Sequence, residues 1–173
     1  LKQKSDRLTQ IRETRSVVES LEPLTREVTT TLWLVRDRLD DEELQQLDRQ
    51  VGLMADLVKK SEQKFGADRR QVVSLGHIEK AAKALQGHID LAWQGYAHRK
   101  LQGFRDLLVV VRPLPDLIDQ AAKLHDAISG MEAVSRSAPR TATRLRSFDE
   151  ALERVGVQAG AFDGLPDSVR LFL

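Results

Sequence analysis

Few residues in this sequence have the types and spacing that chemistry requires. Ser61 and Lys64 form a Ser-x-x-Lys, the spacing of one kind of acylating serine nucleophile, but the other motifs of such enzymes are missing. Di-iron sites in helical bundles use Glu-x-x-His. None of the four histidines has a glutamate three residues before it: His77, His88, His98 and His125. His77 and His88 would lie about 16 Å apart on a helix, too far to hold one metal ion.

Motifs for nucleotide binding and hydrolysis are also missing. The sequence contains no Walker loop, no Gly-x-Ser-x-Gly and no Gly-x-Gly-x-x-Gly, and it has no cysteine for thiol catalysis or thiolate metal sites. Several carboxylates have a basic residue four positions on, as Glu22 has Arg26, Asp56 has Lys60 and Glu79 has Lys83, which is typical of a solvated helix face. We therefore predict no catalytic, cofactor-binding or metal-binding residue, and we expect that the chain is not an enzyme.

One local charge cluster stands out. Arginine occurs at four positions in a stretch, 133–148, that contains no acidic residue: Arg136, Arg140, Arg144 and Arg146. Four guanidiniums on a flexible connection could each meet a phosphate of nucleic acid or another polyanion. An ordinary solvated loop would have the same composition, and no aromatic side chain interleaves for base stacking. Contact with a polyanion is therefore the alternative hypothesis.

Apolar residues that lie outside the helix seams are candidates for contact with a partner. Trp33 stands off the seam of its segment, Trp93 belongs to a second apolar line, and Phe172 lies in the apolar C-terminal end. Aromatic side chains of this kind are enriched at the centres of protein interfaces. We expect them to contact a protein partner, a second copy of the chain, or the remainder of a longer polypeptide.

The segment that must position these residues is a long central helix, predicted over 74–111. One apolar line follows helical steps of three and four: Ile78, Ala82, Leu85, Ile89, Ala92, Tyr96 and Gly103. A second line lies beside it: Trp93, Ala97, Leu101, Phe104, Leu108 and Val111. Because glycine costs helix propensity, we interpret Gly87, Gly95 and Gly103 as positions where another backbone packs closely.

Three further long helices are predicted around this one, over 2–39 with a kink near Pro23, 42–65 and 115–135. Asp40 with Glu43 and Ser147 with Glu150 have the form of capping boxes, and Ser74 could cap the central helix. The sequence thus predicts an all-α fold, an elongated antiparallel helical bundle with coiled-coil-like hairpins and two short C-terminal helices. Its domains would be a bundle over 1–135, a basic linker or loop over 136–146 and a short helical segment over 147–173.

Composition limits the environment. The 173 residues carry 27 basic and 26 acidic side chains, a net charge of +1, so no global field attracts nucleic acid or a membrane. No apolar run reaches the roughly 20 residues of a membrane span, and we expect a cytoplasmic protein without a membrane partner. Arginine outnumbers lysine about two to one and asparagine is absent, which favours a bacterial origin. Because the chain starts at Leu1 and ends on apolar residues, we expect an excerpt of a larger protein.

These observations favour one function and leave a second open. The first is a non-catalytic helical interaction or scaffold module that mediates protein–protein or interdomain assembly. The alternative is a helical segment of a nucleic-acid-handling machine, for example a DNA-associated ATPase complex, touching polyanion through Arg136 to Arg146.

Overall fold

The computed structural model describes residues 22–63 and 70–164, with side chains described over 22–61 and 76–164. Five α-helices make up this part of the chain: α1 (22–35), α2 (Asp41–Gln63), α3 (Arg70–Val111), α4 (Ile118–Val134) and α5 (Ala142–Gly160). Single 3-10 turns follow α1 and precede α4. The described residues contain no strand, and the all-α prediction is confirmed.

The chain divides into two compact units. The first unit consists of Leu1–Arg36 and Asp40–Ile89, and the second unit consists of Asp37–Leu39 and Asp90–Leu173. Helix α3 therefore contributes its first half to one core and its second half to the other. In the described residues, no helix is both long enough and apolar enough to cross a bilayer.

Three helices build the core of the first unit. Its buried side chains come from α1 (Val28, Leu32, Val35), α2 (Leu47, Met54) and α3 (Ile78, Ala82, Leu85, Ile89). At its surface Arg36 pairs with Asp48 at 2.9 Å. Helix α2 begins directly after Asp40, whose carbonyl oxygen accepts from the Leu44 N–H at 2.9 Å, and acidic residues fill its first turn. The predicted start of α2 is correct to within one residue.

The buried line of α3 changes between the two units. The first predicted line is buried as far as Ile89, but Ala92 and Tyr96 are only half-buried and Gly103 is exposed. The second line then supplies the buried residues Trp93, Ala97 and Leu101. These follow Ile89 at steps of four, and each such step rotates the buried direction by about 40°. A single straight seam therefore does not describe α3.

Helices α4 and α5 complete the second unit. The apolar face of α4 is buried at Ala121, Leu124, Ile128 and Met131, and α5 buries Phe148, Ala151 and Val155. The valine-rich end of α3 is helical, as the helix predicted over 74–111 requires, and the described residues contain no strand that could pair with it. Pro115 opens the 3-10 turn that leads into α4, so the helix predicted over 115–135 begins with this turn.

Two predicted helix starts are wrong. Helix α3 begins at Arg70, and Ser74 lies inside it, because no glycine or proline interrupts residues 70–74. Helix α5 begins at Ala142 and not at Ser147. Its N-cap is Thr141, whose hydroxyl oxygen accepts from the Arg144 N–H at 3.2 Å.

Several predictions concern residues outside the described ranges. The part of the first predicted helix that precedes residue 22 lies outside the described residues, so the kink near Pro23 stays a prediction. The last short helix, predicted beyond residue 164, also lies outside them. Helix α1 ends at residue 35, four residues earlier than predicted, because a 3-10 turn occupies Arg36–Arg38.

The three glycines of α3 do not mark close packing. A methyl group built at Gly87 or Gly103 meets nothing within 4 Å. At Gly95 it meets only the end of the Arg99 side chain, at 3.5 Å. The interpretation of these residues as positions of close backbone approach is therefore wrong within the described chain.

Candidate functional site

Trp93 lies in the core of the second unit. It is 0% exposed, its ring centroid lies 4.5 Å from that of Phe148 and 5.3 Å from that of Tyr96, and its indole N–H has no hydrogen-bond partner among the described residues. The prediction that Trp93 contacts a partner is wrong, because α5 covers it. Trp33 in the first unit is 71% exposed, as that prediction requires, and Phe172 lies outside the described residues.

A charged pair lies beside this aromatic cluster. Arg38 Nη1 and Nη2 donate to the two Asp149 carboxylate oxygens at 2.8 and 3.0 Å, and Nη1 also donates to the Tyr96 hydroxyl at 3.3 Å. The bond to Asp149, followed by the bond to Tyr96, raises the pKa of Arg38 above its ordinary value, although partial burial opposes the shift. No pattern in the sequence points to this pair, since 111 positions separate its members.

The four arginines of the basic stretch have different environments. Arg140 donates to both carboxylate oxygens of Asp90, at 3.2 and 3.3 Å, and to the Ala138 carbonyl at 2.7 Å. Asp90 also accepts from the Ala138 N–H at 2.9 Å, and both Ala138 and Pro139 are buried. Arg140 therefore holds the 135–141 loop on α3.

The remaining three arginines are exposed but do not share one face. Arg136 lies in the loop, whereas Arg144 and Arg146 lie in the first turns of α5. Residues two positions apart on a helix point about 200° away from each other, so Arg144 and Arg146 are directed to opposite sides of α5. The predicted boundary of the basic linker at 146 is also wrong, since α5 begins within it.

Arg136 instead lines a cavity between α3 and α4. We call it the His98 groove; it has a volume of about 300 Å³ and opens to solvent. Its lining consists of Gln94, Ala97, His98, Leu101, Arg105, Glu132, Ser135 and Arg136.

A hydrogen-bond network crosses the His98 groove. Arg105 donates from Nε and Nη2 to Glu132 Oε1 at 3.1 and 2.7 Å, and its Nη1 lies 2.8 Å from His98 Nδ1. A guanidinium can only donate, so Nδ1 accepts, and the neutral imidazole carries its proton on Nε2. Arg105 thus fixes both the orientation and the tautomer of His98.

The rim of the groove is fixed separately. Gln94 Nε2 donates to the Arg136 carbonyl at 2.6 Å, and the Ser135 hydroxyl donates to the Met131 carbonyl at 2.5 Å. These bonds place the backbone of Arg136 at the end of α4. The Arg136 guanidinium makes no hydrogen bond or ion pair within the described part of the chain.

Sequence reasoning missed this groove, although part of it had a signal. His98 and Arg105 lie seven positions apart on a helix, hence on one face two turns apart. Glu132 comes from another helix, and no spacing points to it.

No metal site was found in the described residues, where His, Asp and Glu do not form groups of three or more that could hold an ion. A comparison with family models, curated proteins and solved structures finds no match to this chain.

Proposed function

We propose that this chain is a non-catalytic helical interaction or scaffold module that mediates protein–protein or interdomain assembly. The observation that supports this proposal most directly is Trp33, a residue of α1 that is 71% exposed. Exposing so large an apolar surface costs free energy in water, and burying it against a partner would recover that cost. A bacterial origin, a cytoplasmic location and an elongated coiled-coil shape stay predictions from the sequence.

The polar residues around Trp33 suit the edge of an interface. Arg26 and Thr29 lie seven and four positions before Trp33, on the same side of α1, and Arg36 lies three positions after Trp33, at the start of the 3-10 turn. Each has a partner within the chain: Glu22 for Arg26, the Thr25 carbonyl for Thr29 and Asp48 for Arg36. A partner that covers Trp33 would leave these polar groups paired, and buried polar groups cost little when they are hydrogen-bonded.

Other apolar side chains are also exposed. Leu53 is 67% exposed and lies one turn before Leu57 on α2 of the first unit. The second unit exposes further large apolar residues: Leu91, Val109, Ile118, Val134 and Val157. Isolated apolar residues are common on protein surfaces and do not by themselves indicate an interface. The proposal therefore rests on Trp33, because tryptophan is enriched among the residues that contribute most to binding energy.

The test is site-specific photo-crosslinking in the cells that produce the protein. A photoreactive residue replaces Trp33, and a matched control places it at Gln45, an exposed polar position of α2. We expect one reproducible product from position 33, either with another protein or with a second copy, and none from position 45. With the purified partner, Trp33→Ser should weaken binding at least about tenfold, as for an interface hot spot.

Two results would contradict the proposal. One is the absence of any product specific to position 33. The other is a Trp33→Ser variant that binds the captured partner as tightly as the parent does.

A second candidate function is contact with a polyanion through the basic stretch. The exposure of Arg136, Arg144 and Arg146 supports it, whereas Arg140 is engaged by Asp90. If these three side chains neutralise three phosphates, log affinity for duplex DNA should fall with log salt at a slope of about −2.7. Replacing all three by alanine should remove the slope, and Arg112→Ala, at an exposed arginine after α3, is the control. Absence of binding at low salt would exclude this candidate.

A further inference from the structure

The charges of the His98 groove are unequal. Glu132 is its one carboxylate, and Arg105 already donates two hydrogen bonds to one oxygen of that group. Arg136 adds a second guanidinium, which has no carboxylate partner within the described part of the chain. One positive charge is thus left over, even when His98 is neutral.

Two hydrogen-bond donors of the groove are available to a ligand. The first is the His98 Nε2–H, because Arg105 occupies Nδ1 on the other side of the ring. The second is the Arg136 guanidinium, whose planar fork can meet both oxygens of one carboxylate. Gln94 holds the Arg136 backbone at the rim and so limits the positions that this guanidinium can reach.

The floor of the groove is apolar. Ala97 and Leu101 close it from below, and each is only 1% exposed, so a ligand would meet mainly the polar side chains of the groove. The volume of about 300 Å³ equals roughly ten water molecules, enough for one or two amino-acid side chains.

The end of α4 restricts the charge of that ligand. Ser135 and Arg136 follow directly after α4, so the negative end of its helix dipole faces this region. The negative end of this dipole and the Glu132 carboxylate together disfavour a dianion or a chain of phosphates more than they disfavour a single carboxylate. The groove also lacks an aromatic ring on which a nucleic acid base could stack.

We infer that the His98 groove binds an acidic peptide segment, with an aspartate or glutamate carboxylate at His98 Nε2 and Arg136. This inference rests on the proposed interaction function and names the partner chemistry for one surface of the second unit.

The experiment is an NMR titration of the full chain labelled with ¹⁵N at histidine. The probes are the peptide acetyl-Ala-Leu-Glu-Ala-amide, the same peptide with Gln in place of Glu, inorganic phosphate and a short oligo-dT. In the free protein we expect His98 as the Nε2–H tautomer. The Glu peptide should shift the His98 ring signals saturably, and the Gln peptide should bind about tenfold more weakly, since it lacks the charge-assisted bonds.

Matched variants locate the contact. Arg136→Ala should weaken the Glu peptide about tenfold, because it removes one charged donor. Arg146→Ala removes another exposed arginine, from α5, and should leave the affinity unchanged. Both side chains are exposed, so circular dichroism should show the parent helicity for both variants.

Four results would overturn the inference: equal binding of the Glu and Gln peptides, no saturable shift with either, equal losses in the two variants, or a stronger response to oligo-dT or phosphate. The last would favour the polyanion function. Failure here is distinguishable from failure of the proposed function, since crosslinking at position 33 tests a surface of the first unit and does not involve the groove.

Discussion

Replacing Gly87, Gly95 and Gly103 by alanine should stabilise the protein. All three lie inside α3, where glycine is less favourable than alanine by about 0.8–1 kcal/mol because it loses more backbone freedom on folding. The added methyl groups meet open space at Gly87 and Gly103, and at Gly95 only a flexible arginine side chain at 3.5 Å. Helix propensity therefore acts without opposition from packing.

The expected gain is additive. Successive glycines lie eight residues apart, about 12 Å along the helix, which is far enough for independent effects. The triple variant should gain about 2–3 kcal/mol in free energy of unfolding. For a chain of this size, that corresponds to a rise in melting temperature of about 5–10 °C.

Urea denaturation followed by circular dichroism measures this gain, and calorimetry gives the melting temperature. The reciprocal control is Ala84→Gly, at an exposed position of the same helix, which should lose about 1 kcal/mol. If the control loses this amount while the triple variant is no more stable than the parent, the argument from open space is refuted. The glycines would then serve an approach by another chain.

Three further predictions concern the second unit and its contrast with Trp33. Asp149→Ala removes the bidentate partner of Arg38, whose carboxylate side chain is 43% exposed, and should lower the unfolding free energy measured in urea by about 1–2 kcal/mol. A loss below about 0.3 kcal/mol would show that solvent screens the pair. Trp93→Ala should cost about 3–5 kcal/mol of unfolding free energy in the same assay because it removes a large side chain from the aromatic core, whereas Trp33→Ser should change this free energy by less than about 0.5 kcal/mol. Equal effects of the two substitutions would contradict the burial described. Asp90→Ala removes the acceptor of the Ala138 N–H, so exchange of that amide hydrogen should accelerate about tenfold or more, and an unchanged rate would show that the loop is held by other contacts.

The sequence predicts the buried face of a helix well where the apolar residues form a single line. The buried residues of α4, Ala121, Leu124, Ile128 and Met131, recur at steps of three and four. In α3 two apolar lines lie side by side, and periodicity alone does not show which line is buried in each half. The structure divides them at Ile89, where the first compact unit ends.

The start of α5 shows how tertiary contacts override a local signal. Ser147 with Glu150 has the form of a capping box, whereas Thr141 is followed three positions later by an arginine. Burial of Ala138 and Pro139, together with the bonds to Asp90, fixes the loop so that the helix starts at Ala142. The Ser147 hydroxyl then donates back to the Thr143 carbonyl at 3.1 Å, as serine often does inside a helix.

The charged contacts of the second unit could not be predicted at all. Asp90 and Arg140 are 50 positions apart, and Arg105 and Glu132 are 27 apart. Which carboxylate meets which guanidinium depends on how the helices are placed side by side. The four arginines form a cluster in the sequence, yet the fold distributes them among a loop anchor, a groove rim and two sides of a helix.

The two tryptophans give the protein a built-in pair of spectroscopic reporters. The sequence contains two, one in each compact unit, and their exposures are 71% and 0%. A water-borne quencher such as iodide should reach the Trp33 indole and not that of Trp93, while emission from the buried indole should lie at shorter wavelength. Unfolding of the second unit can therefore be followed as a red shift of the unquenched emission, and events at the α1 surface as a change in the quenched fraction. No label has to be introduced for either measurement.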